Sequence, residues 1–389
     1  MNKSTKTNSK ILLFLVNVDW FFLSHRLDIA LSAKKSGWEV HIATKITNRL
    51  SELESFGFVV HPLLLEREGM NPLNALRSAR QVWKIYRLVK PNVVHSVTIK
   101  PVILGGVIAR LAGVPALVSA VPGLGSGFTA EGFGASLKRW VVRRGYQIAL
   151  GHRNQKVIFQ NSNDRAVLTK VAHLKSRDIV TINGSGVDLA RFKPEPLPVG
   201  IPVIVLASRL LWNKGVQEFI DAARIMRERG VLARFVLVGT PDSASPTCVS
   251  PEKVESWVSE GIVECWGHRK DMETVLAQSN IVVLPSYSEG MPKILLEAAA
   301  CGRPVVTTDV AGCREAIQCG VTGLLVAPKD AIALADAVEK LLMDVDLASS
   351  MGVMGRALAE REFDVREVVR KHLSIYLELN DRLKDGLGG

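Results

Sequence analysis

Short apolar, β-branched runs alternate along this chain with stretches whose apolar positions recur every three or four residues. Ile11–Val16, Val40–Ala43 and Val93–His95 predict strands, while the stretches ending near Lys35, Leu76–Val89 and Pro101–Leu111 predict helices between them. Such a rhythm builds parallel sheets, because parallel neighbours need a crossover long enough to hold a helix. It stops at Phe192–Pro202, where four prolines in eleven residues continue neither a helix nor a central strand. A second series follows, with strands at Val203–Ala207, Phe235–Val238, Ile281–Leu284 and Val305–Thr307, and helices from Val216 to about Arg229 and from Pro292. The pattern predicts an α/β chain of two Rossmann-like domains facing a central cleft. Their bounds are 1–195 and 203–365, and a helix over 366–389 packs back toward the first domain. The cleft is the default ligand site.

Composition narrows the partners. The 389 residues are 47 % apolar and 22 % charged, which suits large cores and excludes a disordered or collagen-like chain. The net charge of +11 is unevenly spread. Residues 1–200 hold 28 Lys and Arg against 12 Asp and Glu; the remainder holds 21 against 26. A basic first half implies an anionic partner, and with no nucleic-acid reading module present, a membrane surface or a phosphorylated substrate is preferred to nucleic acid. Five cysteines, odd in number and without a C-x-x-C pair, indicate neither a disulfide framework nor a zinc site. The N-terminal run ILLFLV meets Asn17 and Asp19 without a cleavage site, and the tract Val102–Val121 is broken by Arg110 and Pro115. The expectation is a cytoplasmic chain, peripheral at the inner face of the cell membrane.

Two segments carry candidate chemistry. In Pro285–Glu297 (PSYSEGMPKILLE) a strand gives way, through a turn at Gly290, to a helix opened by Pro292. Glu289 stands at that helix's start and Glu297 about two turns in, roughly 10–12 Å away. One carboxylate can then take sugar hydroxyls and the other ribose hydroxyls of one nucleotide sugar. Equally, Glu289 favours the helix dipole and Glu297 pairs with Lys293 four residues back. In Ser208–Gly215 (SRLLWNKG), Arg209 offers a planar fork and Lys214 a point charge between a strand and a helix N-terminus, which suits a pyrophosphate. The alternative is a solvated loop with two surface cations.

In this order the two segments resemble the family-4 retaining glycosyltransferases of the two-domain B-type (GT-B) fold. The family's two glutamates separated by seven residues are met by Glu289 and Glu297, and its Arg-x4-Lys phosphate clamp by Arg209 and Lys214. Gly267–Asp271 (GHRKD) resembles the base-contacting loop, Asn183–Asp188 the inter-domain segment and Gly312–Val326 the family's tail. Val94–Pro101, Gly123–Gly125 and Trp212–Glu218 are similar to bacterial enzymes that add a hexose or N-acetylhexosamine to polyprenyl-diphosphate-linked sugars. The resemblance implies a nucleotide-sugar donor, expected to be a UDP-sugar, and a polyprenyl-diphosphate-linked acceptor. It assigns catalysis to Arg209, Lys214 and Glu289, and donor binding to Glu297, His268, Arg269, Gly290, Met291 and Pro292. Acceptor binding falls to His25, Arg26, Gly123 and Gly125. It also implies a front-face route, in which the leaving diphosphate helps deprotonate the acceptor while the two cations stabilise its charge.

One departure stands out: Pro122-Gly123 replaces a His-Gly pair whose histidine lies near the reaction centre in many members, and proline exchanges no proton. His25 and His95 are the candidates to stand in, each with the alternative of a buried structural histidine. Asp19, the only acid of the first loop, is not placed as a covalent nucleophile. No metal or cofactor is expected, since Asp344-Val-Asp346 falls between helical stretches and reads as a helix start. Arg77, Arg80, Lys84 and Arg87 recur at helical steps beside Trp83 and Tyr86, and Lys138, Arg139, Arg143 and Arg144 cluster near Trp140 and Tyr146. Both groups suit an anionic leaflet or a plain solvated face. Rival readings are a nucleotide-sugar epimerase on the same fold and a non-catalytic polyanion-binding protein.

Overall fold

The computed structural model describes residues 10–65, 72–124 and 133–384. Contacts divide the chain into two compact units, one running to Ile182 and resuming at Glu367, the other spanning Asn183–Arg366. The border falls at 182/183 rather than at the proline-rich stretch, so Phe192–Pro202 belongs with the second unit. Residues 367–384 belong with the first.

The first unit holds seven parallel strands: β1 Lys10–Val18, β2 Trp38–Lys45, β3 Val59–Pro62, β4 Val93–Val97, β5 Ala116–Val121, β6 Gln155–Phe159 and β7 Ile179–Thr181. Their order is β3-β2-β1-β4-β5-β6-β7. Leu12 to Val16 are wholly buried, and they divide by the two-residue period of a strand. Leu12, Phe14 and Val16 enter the core on one face, and Leu13 and Leu15 that on the other. Helices therefore cover both faces, as a parallel sheet requires. The closing helix, Val365–Lys384, adds Val368, Ile375, Tyr376 and Leu379 to the first of these cores.

Six parallel strands make the second sheet: β8 Val203–Ala207, β9 Arg234–Val238, β10 Glu264–Gly267, β11 Ile281–Leu284, β12 Val305–Thr308 and β13 Gly323–Val326, ordered β10-β9-β8-β11-β12-β13. Ile204 and Leu206 pack on one face, Val203, Val205 and Ala207 on the other. Each sheet reverses its winding once, at β1/β4 and at β8/β11. Ligands of open α/β sheets bind outside the carboxyl ends of the strands at such points.

One predicted helix is two. The stretch ending at Lys35 splits into Asp19–His25 and Leu27–Lys35 at Arg26, whose φ of −133° and ψ of −6° are not helical. The break turns Arg26 inward among Tyr376 and the core histidines, and there it is almost fully buried.

Candidate active site

At the switch point of the second sheet two loops meet. The first leaves β8 through Ser208 and Arg209, makes a 3-10 turn over Trp212–Lys214, and enters the helix Val216–Glu228 through Gly215. Gly215 has φ 73°, and a Cβ there would lie 2.0 Å from the Pro285 carbonyl oxygen, so only glycine lets this loop lie against the segment after β11. The second loop is fastened to the first by hydrogen bonds from the Tyr287 amide (3.0 Å) and the Ser286 hydroxyl (3.2 Å) to the Asn213 carbonyl. The Tyr287 hydroxyl donates to buried Glu218 at 2.6 Å, and the Lys329 ammonium lies 5.2 Å from the Tyr287 ring centre.

This fastening brings sequence-predicted residues together. Lys214 donates to Glu289 in a direct ion pair, both side chains largely buried. Arg209 opens the loop that carries Lys214, its Nη1 donating to Asp242 Oδ2 at 2.9 Å. Gly290, Met291 and Pro292 are buried, and Pro292 is the N-cap of the helix Lys293–Ala300. Glu297 lies in that helix at 7 % exposure, 3.5 Å from Lys293. Burial pushes its carboxyl above the ordinary range, with Lys293 and Arg191 opposing. The pair with Lys293 four residues back is thus present.

Around the loop carrying His268 and Arg269 the structure supplies a residue that the sequence did not single out. The Arg191 side chain donates to the Lys270 carbonyl at 2.8 Å and to Glu273 at 2.9 and 2.6 Å, fixing that loop. His268 is exposed; Arg269 is held by Asp271, whose carboxyl it pulls down to about 2.

In the first unit the candidates fare differently. His25 stacks on Phe21 with ring centres 4.2 Å apart, and its Nδ1 donates to the Phe21 carbonyl. Arg26 donates to the His25 carbonyl at 2.8 Å from a buried position that lowers its pKa to about 10 by desolvation, so it offers no surface to an acceptor. Gly123 follows β5 after Pro122, and Gly125 lies outside the described residues. His95 is wholly buried, bonded to the Tyr376 hydroxyl at 2.7 Å and stacked on His372, with its pKa well below the ordinary value through desolvation. That makes it a core residue, not an acid or base for the reaction. Asp19 accepts from the amides of Trp20, Thr47 and Arg49 and from the Thr47 hydroxyl, which accounts for its buried carboxylate as a loop anchor. Asp344 caps the helix Val345–Glu362 by accepting from the Leu347 amide. Thr98, just beyond β4 at the first sheet's switch point, has φ 75°, strain that a β-branched residue rarely bears and that no sequence signal announced.

Arg77, Arg80, Lys84 and Arg87 are exposed along the helix Pro72–Val89, with Trp83 44 % exposed and the Arg87 guanidinium 6.0 Å from its ring centre. Trp140 is 57 % exposed with Arg144 over it. Tyr86 and Tyr146, expected beside them, are buried in the core instead, because each faces the sheet side of its helix. A cavity of about 740 Å³ opens nearby, lined by Lys45, Arg77, Asn74, Gln81 and the apolar Leu63 and Leu65 among others. No helix among the described residues is long and apolar enough to cross a membrane.

Two parallel α/β units, the second with a cationic loop and two glutamates at its switch point, have the architecture of the two-domain B-type glycosyltransferases. The chain is a glycosyltransferase by comparison as well: residues 10–161 match the family model "Glycosyl transferase 4-like" and residues 201–344 match "Glycosyl transferases group 1". A Campylobacter jejuni relative, N,N'-diacetylbacillosaminyl-diphospho-undecaprenol alpha-1,3-N-acetylgalactosaminyltransferase, is 29 % identical over 91 % of this chain and 97 % of its own. An Escherichia coli relative, UDP-Gal:alpha-D-GlcNAc-diphosphoundecaprenol alpha-1,3-galactosyltransferase, is 25 % identical over 92 % of this chain and 90 % of its own. The Anabaena protein HepE, solved in complex with UDP and glucose, shares the fold with a TM-score of 0.71 at 19 % identity, covering 96 % of this chain and 99 % of that one.

Proposed function

We propose that this glycosyltransferase moves a hexose or N-acetylhexosamine, with retention and without a metal, from a UDP-sugar to a sugar carried on polyprenyl diphosphate in the assembly of a bacterial glycan. The observation that carries the reading is the meeting of Lys214, Glu289 and the Arg209 loop at the carboxyl end of the second sheet. Two cations and a helix N-terminus meet the charge that develops on a departing nucleoside diphosphate, work that a divalent ion does elsewhere. The Escherichia coli relative's named donor supports a UDP-sugar, both relatives' names support a diphosphate-linked acceptor, and both are transferases, which favours transfer over an epimerase or a polyanion-binding protein.

Turnover then proceeds by position and charge. Glu289 receives hydroxyls of the transferred sugar, buried Glu297 those of the ribose, and the loop at His268 and Arg269 meets the base. The leaving diphosphate, held by Arg209 and Lys214, takes the acceptor's proton on the same face, so no protein base is required where Pro122 stands. His25 and Gly123 of the first unit are the acceptor-binding candidates that remain. The cavity beside Lys45 and Arg77 sets cations against an apolar wall, the chemistry that an isoprenoid diphosphate needs.

A panel of nucleoside diphosphates tests the donor assignment. UDP is expected to raise the melting temperature, since a ligand at 100 times its Kd stabilises by about 2.7 kcal/mol, and EDTA is expected to leave both this shift and turnover unchanged. No shift with any nucleotide, or turnover lost with EDTA and restored by magnesium, contradicts the reading.

The exposed cations and Trp83 support attachment to the anionic cytoplasmic leaflet, at about 1 kcal/mol per cation near the surface. Reversing Arg80, Lys84 and Arg87 to glutamate is expected to reduce sedimentation with anionic vesicles and activity on a long-chain acceptor, while activity on a short soluble acceptor stays within twofold. Vesicle binding equal to wild type would leave the stripe as a solvated face.

A further inference from the structure

We propose that Asp242 is a positioning residue of the transfer reaction, setting the direction in which Arg209 presents its guanidinium to the donor's diphosphate. The inference rests on the reading that Arg209 meets that diphosphate. An exposed arginine has many rotamers, whereas a charge that stabilises a transition state must be oriented before the reaction begins. Lys214 gains its orientation from Glu289. The corresponding carboxylate for Arg209 is Asp242, whose Oδ2 accepts from Nη1 at 2.9 Å.

An isolated surface ion pair would carry little weight. This one is built on two backbones held against each other. Gly239 has φ 139°, and a Cβ there would lie 1.9 Å from the Ser208 carbonyl oxygen, so the loop after β9 reaches the Arg209 backbone only because that residue is glycine. From there the Leu210 amide donates to the Thr240 carbonyl at 3.1 Å, the Trp212 amide to the Thr247 carbonyl at 2.8 Å, and the Val249 amide to the Leu210 carbonyl at 3.0 Å. The Thr247 hydroxyl donates to the Asn213 side chain at 3.3 Å. Residues 239–249 are thereby fastened along the whole phosphate loop, and the Asp242 backbone is placed relative to Arg209 by main-chain bonds that neither side chain supplies. A guanidinium has five N–H donors in a rigid plane, enough to serve a carboxylate and a phosphate together.

The test uses the full chain with a UDP-sugar and a short acceptor, comparing Asp242→Ala, Asp242→Glu, Arg209→Ala and the double alanine variant. Melting curves establish that each variant is folded. Asp242→Ala is expected to lower kcat at least tenfold with donor KM changed less than threefold, and Asp242→Glu to recover part of the loss. The double variant is expected to be no slower than Arg209→Ala alone, because a residue that acts through Arg209 has nothing left to orient. A double variant slowed by the product of the single effects, or wild-type kcat in Asp242→Ala, would overturn the proposal. Calorimetry with UDP on the wild type separates this from the reading beneath it. No UDP binding overturns both, whereas binding with Asp242 variants that turn over normally overturns the positioning role alone.

Discussion

Replacing Arg209 or Lys214 by alanine is expected to lower kcat/KM by about 2–4 kcal/mol of transition-state stabilisation, roughly 30- to 1000-fold, the range for losing one preorganised charge-stabilising contact. The two losses differ in kind. Arg209 is a long, half-exposed side chain, so its removal takes away the proposed phosphate contact and the pair with Asp242. Lys214 is also the partner of Glu289, so its removal leaves a largely buried carboxylate uncompensated at the proposed sugar site. Lys214→Ala is therefore expected to impair kcat more than Arg209→Ala does. The Lys214→Ala/Glu289→Gln pair is expected to be less than additive, since the residues touch. Initial rates at varied donor concentration check both statements. Rates within threefold of wild type for both alanine variants would remove the clamp from the mechanism.

The second large effect separates the two glutamates. Glu289→Gln keeps the shape but removes the charge facing Lys214. It is expected to depress turnover by tenfold or more and to weaken discrimination among donor sugars, because the contacts proposed for it are with the transferred group. Glu297→Gln acts on a carboxyl that burial already holds above its ordinary range, with Lys293 beside it. Its expected effect is on the nucleotide as a whole: UDP binds at least tenfold more weakly by calorimetry while discrimination among donor sugars persists. Unchanged UDP affinity in Glu297→Gln would overturn the ribose assignment, and unaltered turnover in Glu289→Gln would return that residue to the role of a helix-start acid.

Much of this arrangement was legible in the residues, for identifiable reasons. Central strands of parallel sheets are buried on both faces, so β1 and β8 stand out as unbroken apolar runs; short edge strands such as Ile179–Thr181 and Glu264–Gly267 carry no such run and leave little trace. The cationic loop and the glutamate opposite it were visible because Arg209, Lys214 and Glu289 are local to strand ends. Asp242 and Arg191 were not visible, because each reaches its partner from a different loop, over 33 and 82 residues of sequence, through backbone geometry that spacing cannot encode. Periodicity also misplaced Tyr86, Tyr146 and Arg26. A tyrosine beside a cationic stripe sits at its boundary with the apolar face, and one step of rotation buries it. For Arg26, a one-residue break between two amphipathic helices leaves the apolar pattern intact while turning the arginine inward.

The most direct test of the account is the product itself. Purified protein is incubated with a UDP-hexose or UDP-N-acetylhexosamine and a short polyprenyl-diphosphate-linked sugar, UDP release is followed with and without the acceptor, and the new glycosidic linkage is read from its anomeric coupling constant by NMR. UDP release is expected to depend on the acceptor, and the linkage to keep the donor's α configuration. A β linkage would contradict the front-face route held by Arg209, Lys214 and Glu289, and UDP-sugar turnover that is indifferent to every lipid-linked acceptor would contradict the transfer itself.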